Sequence, residues 1–375
     1  MRSGKAILLI SASERDANLY YATHFLAPDS FAFIQIGNRK FLLMSDLEVD
    51  RARSESSVDQ VLSTSKLAKD YLKRTGQRAT YLGIIEDFLK NKKITELLVP
   101  ADFPLAYADA LRKKGFQIET KGEPFFEKRA LKTPAEVRAV QTALGHTEAA
   151  CRQAIEVISR SQIRKGKLYY KGRVLTSESI KQIINVSLME RGCVAQHTII
   201  APGVQGVDPH HQGSGPLRAN ESIVMDIFPQ SMESRYFADL SRTVVRGKAS
   251  PKLKKMFAAV LEGQGTAFRM IRAGADGGKI HQTIQRRFEE LGFRTGVING
   301  RMQGFFHGTG HGVGLEIHEP PRIGGVKDIL QAGQIVTVEP GLYYEDAGGV
   351  RLEDMVLVTR TGCRVLNRLP KILEL

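Results

Sequence analysis

Residues 307–319 run His307-Gly308-Thr309-Gly310-His311-Gly312-Val313-Gly314-Leu315-Glu316-Ile317-His318-Glu319. Two histidines four apart would share one helix face, as they do in H-E-x-x-H zinc sites. Four glycines in the first eight residues oppose a helix, and the glutamate such sites require is missing. Nor does the spacing match G-x-G-x-x-G or a phosphate loop ending in G-K-[ST]. The glycines instead allow backbone and substrate to approach closely around exposed imidazoles. A lone histidine is usually structural, whereas His307, His311 and His318 within twelve positions point to a site.

The flanking segments add charge to those imidazoles. Glu339 lies in Ile335-Val336-Thr337-Val338-Glu339-Pro340-Gly341, an apolar strand ended by a Pro-Gly turn. Arg351-Leu352-Glu353 follows, and in a strand its outer residues face one side, so a guanidinium and a carboxylate would flank one cavity. The competing reading is a surface salt bridge, which is worth little. Upstream, Asp226 interrupts the apolar run Ile223 to Phe228, where an ionised carboxylate is costly without a cation or several donors. Asp239 stands in Tyr236-Phe237-Ala238-Asp239-Leu240-Ser241-Arg242-Thr243; by itself it reads as an ion pair with Arg242 or a strand-end carboxylate.

Composition bounds the answer from outside. The 375 residues, 42% hydrophobic and 25% charged, suit two domains with sizeable cores and exclude disorder as the dominant state. No run approaches the roughly 20 apolar residues of a membrane span, and Ala6 to Ile10 is only strand-sized, so a cytoplasmic location is expected. Cys151, Cys193 and Cys363 are odd in number and far apart, which argues for buried thiols over disulfides or a zinc site. The net charge of +14 could attract nucleic acid. The basic residues read as scattered, however, with Lys90, Lys92 and Lys93, and Arg112, Lys113 and Lys114, at helix ends. Without a recognition helix or an aromatic RNA-binding signature, nucleic acid is not an expected partner.

Along the first third, Ala6 to Ser11, Phe31 to Ile36, Phe41 to Met44, Leu97 to Val99 and Phe116 to Ile118 read as strands. Val58 to Leu72 and Leu105 to Leu111 read as helices. Thr133, Pro134 and Glu136 open a long helix, so a boundary is placed between residues 132 and 133. Ser250 and Pro251 start another helix through Leu253 to Met270, and Ile280 to Leu291 forms a further one.

The buried Asp, Asp-Leu-Ser-Arg-Thr, His-Gly-Thr-Gly-His-Gly, Val-Glu-Pro-Gly and Arg-Leu-Glu-Asp, in that order, resemble the prolidase, aminopeptidase P and creatinase family of pita-bread metallopeptidases. The resemblance covers the half from about Pro134 onward and more weakly the first third. It implies an α/β (α+β) protein: an amino-terminal mixed-sheet, creatinase-like domain over residues 1–132 and a pita-bread catalytic domain over 133–375. It also implies two divalent metal ions (Mn, Co, Fe or Zn) on Asp226, Asp239, His311, Glu339 and Glu353. Four carboxylates and two divalent ions nearly cancel in charge. The 13 positions between the aspartates exceed the family's usual spacing, and a longer hairpin turn over residues 229–235 is expected to absorb them with register intact.

The same resemblance implies peptide hydrolysis by a metal-activated water, with Glu339 shuttling the proton and His307 and His318 stabilising the oxyanion. His210 or the adjacent His211 faces the substrate. Arg351 and the extra domain resemble the Xaa-Pro branch rather than the methionine-specific one. Arg322 matches an arginine that clamps the proline carboxylate in dipeptidases. Xaa-Pro dipeptidase is therefore expected, against an Xaa-Pro aminopeptidase for longer peptides or, from another class, a non-catalytic binding protein associated with nucleic acid. The resemblance further implies a homodimer.

Overall fold

The computed structural model describes residues 4–375, and the chain divides into two compact units between Glu127 and Lys128. The division lies slightly before the expected boundary at 132/133. Residues 128–132 belong with the second unit because Arg129 ion-pairs with Glu316, and Lys132 with Glu319. All four ends lie in that unit, and Lys132 and Glu319 are both buried.

The first unit is built on a six-stranded mixed sheet. Its central strand, Lys5–Ser11, pairs antiparallel with Phe31–Ile36 and parallel with Glu96–Pro100. Arg39–Met44, Gln60–Ser63 and Gln117–Lys121 complete the sheet. The central strand is apolar at every inner position because both faces are covered, as such runs require. Leu8 and Ile10 join one core with Phe41, Ile85 and Phe88, while Leu9 points to the other with Phe25, Phe33 and Leu42.

One expected element is corrected in this unit. Val58 to Leu72 is not a single helix, since Gln60–Ser63 is a strand pairing parallel with Phe41–Met44. The helix starts at Thr64, after Ser63 caps it by accepting from Lys66 N. Periodicity alone does not separate a short strand from the helix it runs into.

In the second unit the helix Pro134–Ser159 begins as the sequence suggests. Thr133 and Glu136 form a reciprocal capping box, with Pro134 in the first turn where its missing N–H is harmless. This helix and Ser177–Met189, which the sequence reading did not identify, cover a three-stranded sheet of Ile199–Pro202, Ser222–Ile227 and Leu240–Val245. The helices Pro251–Met270 and Gly277–Glu290 share a second core with a five-stranded sheet. Its strand order is Glu319–Ile323, Gly310–Gly312, Ile335–Val338, Asp354–Val358 and Cys363–Val365.

Cys151 and Cys193 are buried as expected, but Cys363 is only half-buried because it lies on the edge strand of the five-stranded sheet. Among the described residues no helix is long and apolar enough to cross a membrane.

Thr133→Ala removes one arm of the capping box and is expected to destabilise the chain by about 1 kcal/mol. Thr133→Ser, which keeps the accepting oxygen, is expected to stay near the parent. Urea midpoints of the two variants measure the difference.

Candidate metal centre

The two small sheets of the second unit place their charged residues toward each other. Asp226 pairs directly with Ser241 across the antiparallel strands, and Asp239 stands two residues before Ser241. By strand alternation all three share a face. The segment between the aspartates does not hang free as a turn tip, because Gln230–Ser231 forms a short ladder with Cys193–Val194. The Asp226 strand keeps its register, as expected of an insertion outside it.

From the other sheet come His311, in the strand Gly310–Gly312, and Glu339 and Glu353, which immediately follow and precede the paired strands Ile335–Val338 and Asp354–Val358. The glycines beside His311 have a steric cause. A Cβ on Gly310 would sit 2.0 Å from the Thr337 carbonyl oxygen, and one on Gly312 would sit 2.3 Å from that of Pro320. The neighbouring strands press this close, and a bulge between His311 and Gly312 sets the imidazole's aim. The two sheets are joined where Glu353 N donates to the Ser241 carbonyl at 3.0 Å.

The functional groups converge. His311 Nε2 lies 3.3 Å from Glu339 Oε1 and 3.7 Å from Asp239 Oδ2. One donor atom each from Asp239, His311 and Glu353 fall within 4.8 Å of one another. Ser241 Oγ is 3.0 Å from both Asp226 Oδ1 and Glu353 Oε2, and it accepts from Arg351 Nε at 3.0 Å. Arg351 Nη2 donates to Asp226 Oδ2 at 2.7 Å. His311 Nδ1 sits 3.1 Å from its neighbour's carbonyl, Gly312 O. That contact makes Nδ1 a donor and leaves Nε2 facing Glu339 and Asp239, the atom that could ligate an ion once it has lost its proton.

Burial governs the electrostatics. Asp239 and Glu353 are pushed well above the usual carboxylate range, first by desolvation and then by a neighbouring carboxylate, Asp226 in one case and Asp239 in the other. Asp226 is also raised by burial, against the pull of Arg351. For Glu339 burial is overcome by the His311 hydrogen bond and charge, which hold it at about 2. Burial opposes a charge on His311 as well, but the same bond raises its pKa. Burial lowers His307 and His318 to about 4, so both are neutral hydrogen-bonding imidazoles near neutral pH.

Four carboxylates, Asp239 and Glu353 buried and Asp226 and Glu339 partly so, face one guanidinium and one imidazole and form a cluster short of positive charge. Oxygen-rich donors with a single imidazole suit a hard or borderline divalent ion. The residues present therefore fit the metal that the sequence implied.

All ten residues singled out from the sequence line one cavity of about 730 Å³. Asp226, Asp239, His311, Glu339 and Glu353 share it with His307, His318, His210, Arg322 and Arg351. His210, not His211, is on its wall; His211 Nδ1 accepts from Gly213 N at 2.9 Å. Two bland readings are corrected. Arg242 pairs with Asp354 at 2.9 Å rather than with Asp239. Arg351 and Glu353 are buried, and they do not share one strand, which ends at Arg351.

Two residues of the site escaped the sequence reading. Ser241 lies within the quoted Asp-Leu-Ser-Arg-Thr and, as the second residue after Asp239 in strand alternation, was detectable there. The buried Tyr343 has its hydroxyl 2.8 Å from His307 Nε2 and accepts from Arg351 Nη1 at 3.1 Å. Nothing local in Gly341-Leu342-Tyr343-Tyr344 marks that role.

The model for metallopeptidase family M24 matches residues 138–360. A Xaa-Pro dipeptidase of Pyrococcus horikoshii is 27% identical over 359 residues, covering 94% of this chain and 91% of that protein. The Pyrococcus furiosus Xaa-Pro dipeptidase is also 27% identical over 359 residues, with coverages of 94% and 92%. The X-Pro aminopeptidase structure of Thermotoga maritima superimposes with a TM-score of 0.81 at 22% identity, over 99% of this chain and 97% of that one. The prolidase structure of Pyrococcus horikoshii gives 0.78 at 25%, over 99% and 96%. The expected α/β pita-bread architecture is therefore the fold of this chain.

Manganese at 100 times its Kd is expected to stabilise the folded chain by about 2.7 kcal/mol, read as a rise in melting temperature that a chelator reverses. Joint Asp239→Asn and Glu353→Gln substitution should abolish the rise. A rise that survives the double substitution would locate the cation elsewhere.

Proposed function

Because the chain belongs to metallopeptidase family M24, we propose that it hydrolyses the Xaa-Pro bond of dipeptides, with two divalent ions held by Asp226, Asp239, His311, Glu339 and Glu353. The observation that carries this reading is the lining of the cavity of about 730 Å³. A complete oxygen-rich donor set stands there beside neutral histidines and an arginine suited to a peptide's carboxylate. Bound cations supply Lewis acidity and lower the pKa of water.

The chain's own residues do the remaining work. Glu339, at the edge of the donor set, takes the proton of the attacking water and passes it to the leaving proline nitrogen. Neutral His318 donates to the oxygen that gains charge, a task for which a pKa near 4 fixes its protonation state across the neutral range, while neutral His307, with Nδ1 on the Gly308 carbonyl and Nε2 on the Tyr343 hydroxyl, positions that hydroxyl on the substrate side. Tyr343 bridges His307 and Arg351, and Arg351 in turn grips Asp226, so the substrate side and the donor set are oriented together. His210 stands on the same wall, where it orients the substrate.

Arg322 supplies the specificity. A guanidinium fork holds a carboxylate by two parallel bonds, which favours a free C-terminus directly after proline. Cleavage of longer Xaa-Pro peptides is the second reading, and it draws on one observation: Arg322 is exposed and its guanidinium has no carboxylate within 4 Å among the described residues. A side chain so held can turn aside for a longer substrate. Ions among Mn, Co, Fe or Zn and a homodimer belong to the same reading and rest on the family resemblance, and a cytoplasmic location rests on the lack of a membrane-length apolar run.

Glu339→Gln is expected to abolish hydrolysis of Gly-Pro while the circular dichroism spectrum is retained. Arg322→Ala should raise KM for Gly-Pro by tenfold or more and leave Gly-Pro-Ala cleavage, if any, little changed. Equal losses on the two substrates would remove the clamp, and unchanged turnover in Glu339→Gln would remove the mechanism.

A further inference from the structure

Between Glu156 and Glu178 the chain carries six basic residues and no acidic one. The structure folds most of this stretch into a small three-stranded meander, Gln162–Arg164, Lys167–Tyr170 and Arg173–Val174, away from the residues that line the metal cavity. Arg164 pairs with Lys167, and Lys167 bridges on its other side to Arg218. Three cations thus stand in one cross-strand row, on the face opposite the buried Leu168. Like charges directly opposed across strands are destabilising.

Both hairpin turns also depart from what the backbone prefers. Each is a two-residue loop with positive φ at both positions, 48° and 73° at Lys165-Gly166 and 49° and 77° at Lys171-Gly172. The first position of such a turn favours Asn, Asp or Gly, and here it is Lys twice. Arg164, Lys165, Lys167, Lys171, Arg173 and Arg218 have no carboxylate within 4 Å among the described residues. Glu221 shares the groove beyond Arg218 without reaching that distance.

Charge row and turn residues both work against the stability of the meander, and no carboxylate among the described residues offsets them. We propose that this basic meander binds the phosphate backbone of nucleic acid. The row and tips present fixed cations at about the spacing of adjacent strands, roughly 5 Å, which suits a polyanion rather than a single phosphate. The rings of Tyr169 and Tyr170 support two of the cations, with Arg164 at 5.7 Å and Lys171 at 5.5 Å from the ring centroids. An anionic bilayer fits less well, because a surface helix or hairpin anchors there through apolar side chains. Ile163 is the one large aliphatic exposed in the meander. The contacts are to backbone phosphate, so binding is independent of sequence and steeply salt-dependent.

The test uses the full chain and a fluorescein-labelled 20-base-pair DNA duplex, with anisotropy measured between 50 and 200 mM salt. The triple variant Lys165→Asn, Lys167→Thr, Lys171→Asn puts turn-preferred residues at the tips and breaks the row. It is expected to melt at or above the parent's temperature and to keep Gly-Pro turnover. Its duplex affinity should fall by roughly eightfold per lost contact at 0.1 M salt, and its log–log salt slope should fall by about 2.7. Absence of duplex binding by the parent at 50 mM salt would overturn the proposal, as would a triple variant that binds equally well. Variant-sensitive binding to phosphatidylserine vesicles without duplex binding would overturn it in favour of a membrane surface.

Discussion

The second unit is organised around the mutual repulsion of Asp226, Asp239, Glu339 and Glu353. Carboxylates gathered out of water oppose folding unless positive charge and donors meet them. The chain provides part of the answer itself. Arg351 reaches Asp226, Ser241 stands between Asp226 and Glu353, and His311 meets Glu339. What remains is an excess of negative charge that a divalent ion is suited to neutralise. Catalytic capacity and folding cost have one origin here, and the cores of both sheets offset that cost through apolar burial on each side.

Much of this was legible in the sequence, for specific reasons. Asp226 stood out because a charge inside Ile223-Val224-Met225 and Ile227-Phe228 violates the strand's own pattern. His311 stood out because glycines flank it, and the steric cause is the close approach of Thr337 and Pro320 on either side. Bringing five distant segments to one place was beyond spacing and periodicity, and only the ordered motifs supplied it. Tyr343 stayed hidden because its role comes from contacts with His307 and Arg351, 36 and 8 positions away. The helix expected over Val58 to Leu72 failed where Gln60–Ser63 found a parallel partner, a tertiary preference that no local window contains.

The scattered appearance of the basic residues is corrected in the same way. Arg164 and Lys167 look like ordinary surface charges in a linear sequence, and Arg218 lies more than fifty residues away. Strand pairing alone aligns them. Conversely, Arg129 and Lys132 lie just before the expected boundary at 132/133, and the fold buries both, with Glu319, directly after His318, as a shared partner.

Asp226, Asp239, His311, Glu339 and Glu353 lie on or beside strands anchored in two separate cores, whereas His210 sits in a loop and Arg322 on an edge strand. Evolution therefore meets unequal resistance at the two ends of the cavity. Altering the carboxylate and imidazole cluster means repacking a sheet, while altering the rim asks only for exchanges on a loop or an edge strand. A lineage with this architecture can vary the mouth of its cavity while the charged cluster at its floor stays frozen.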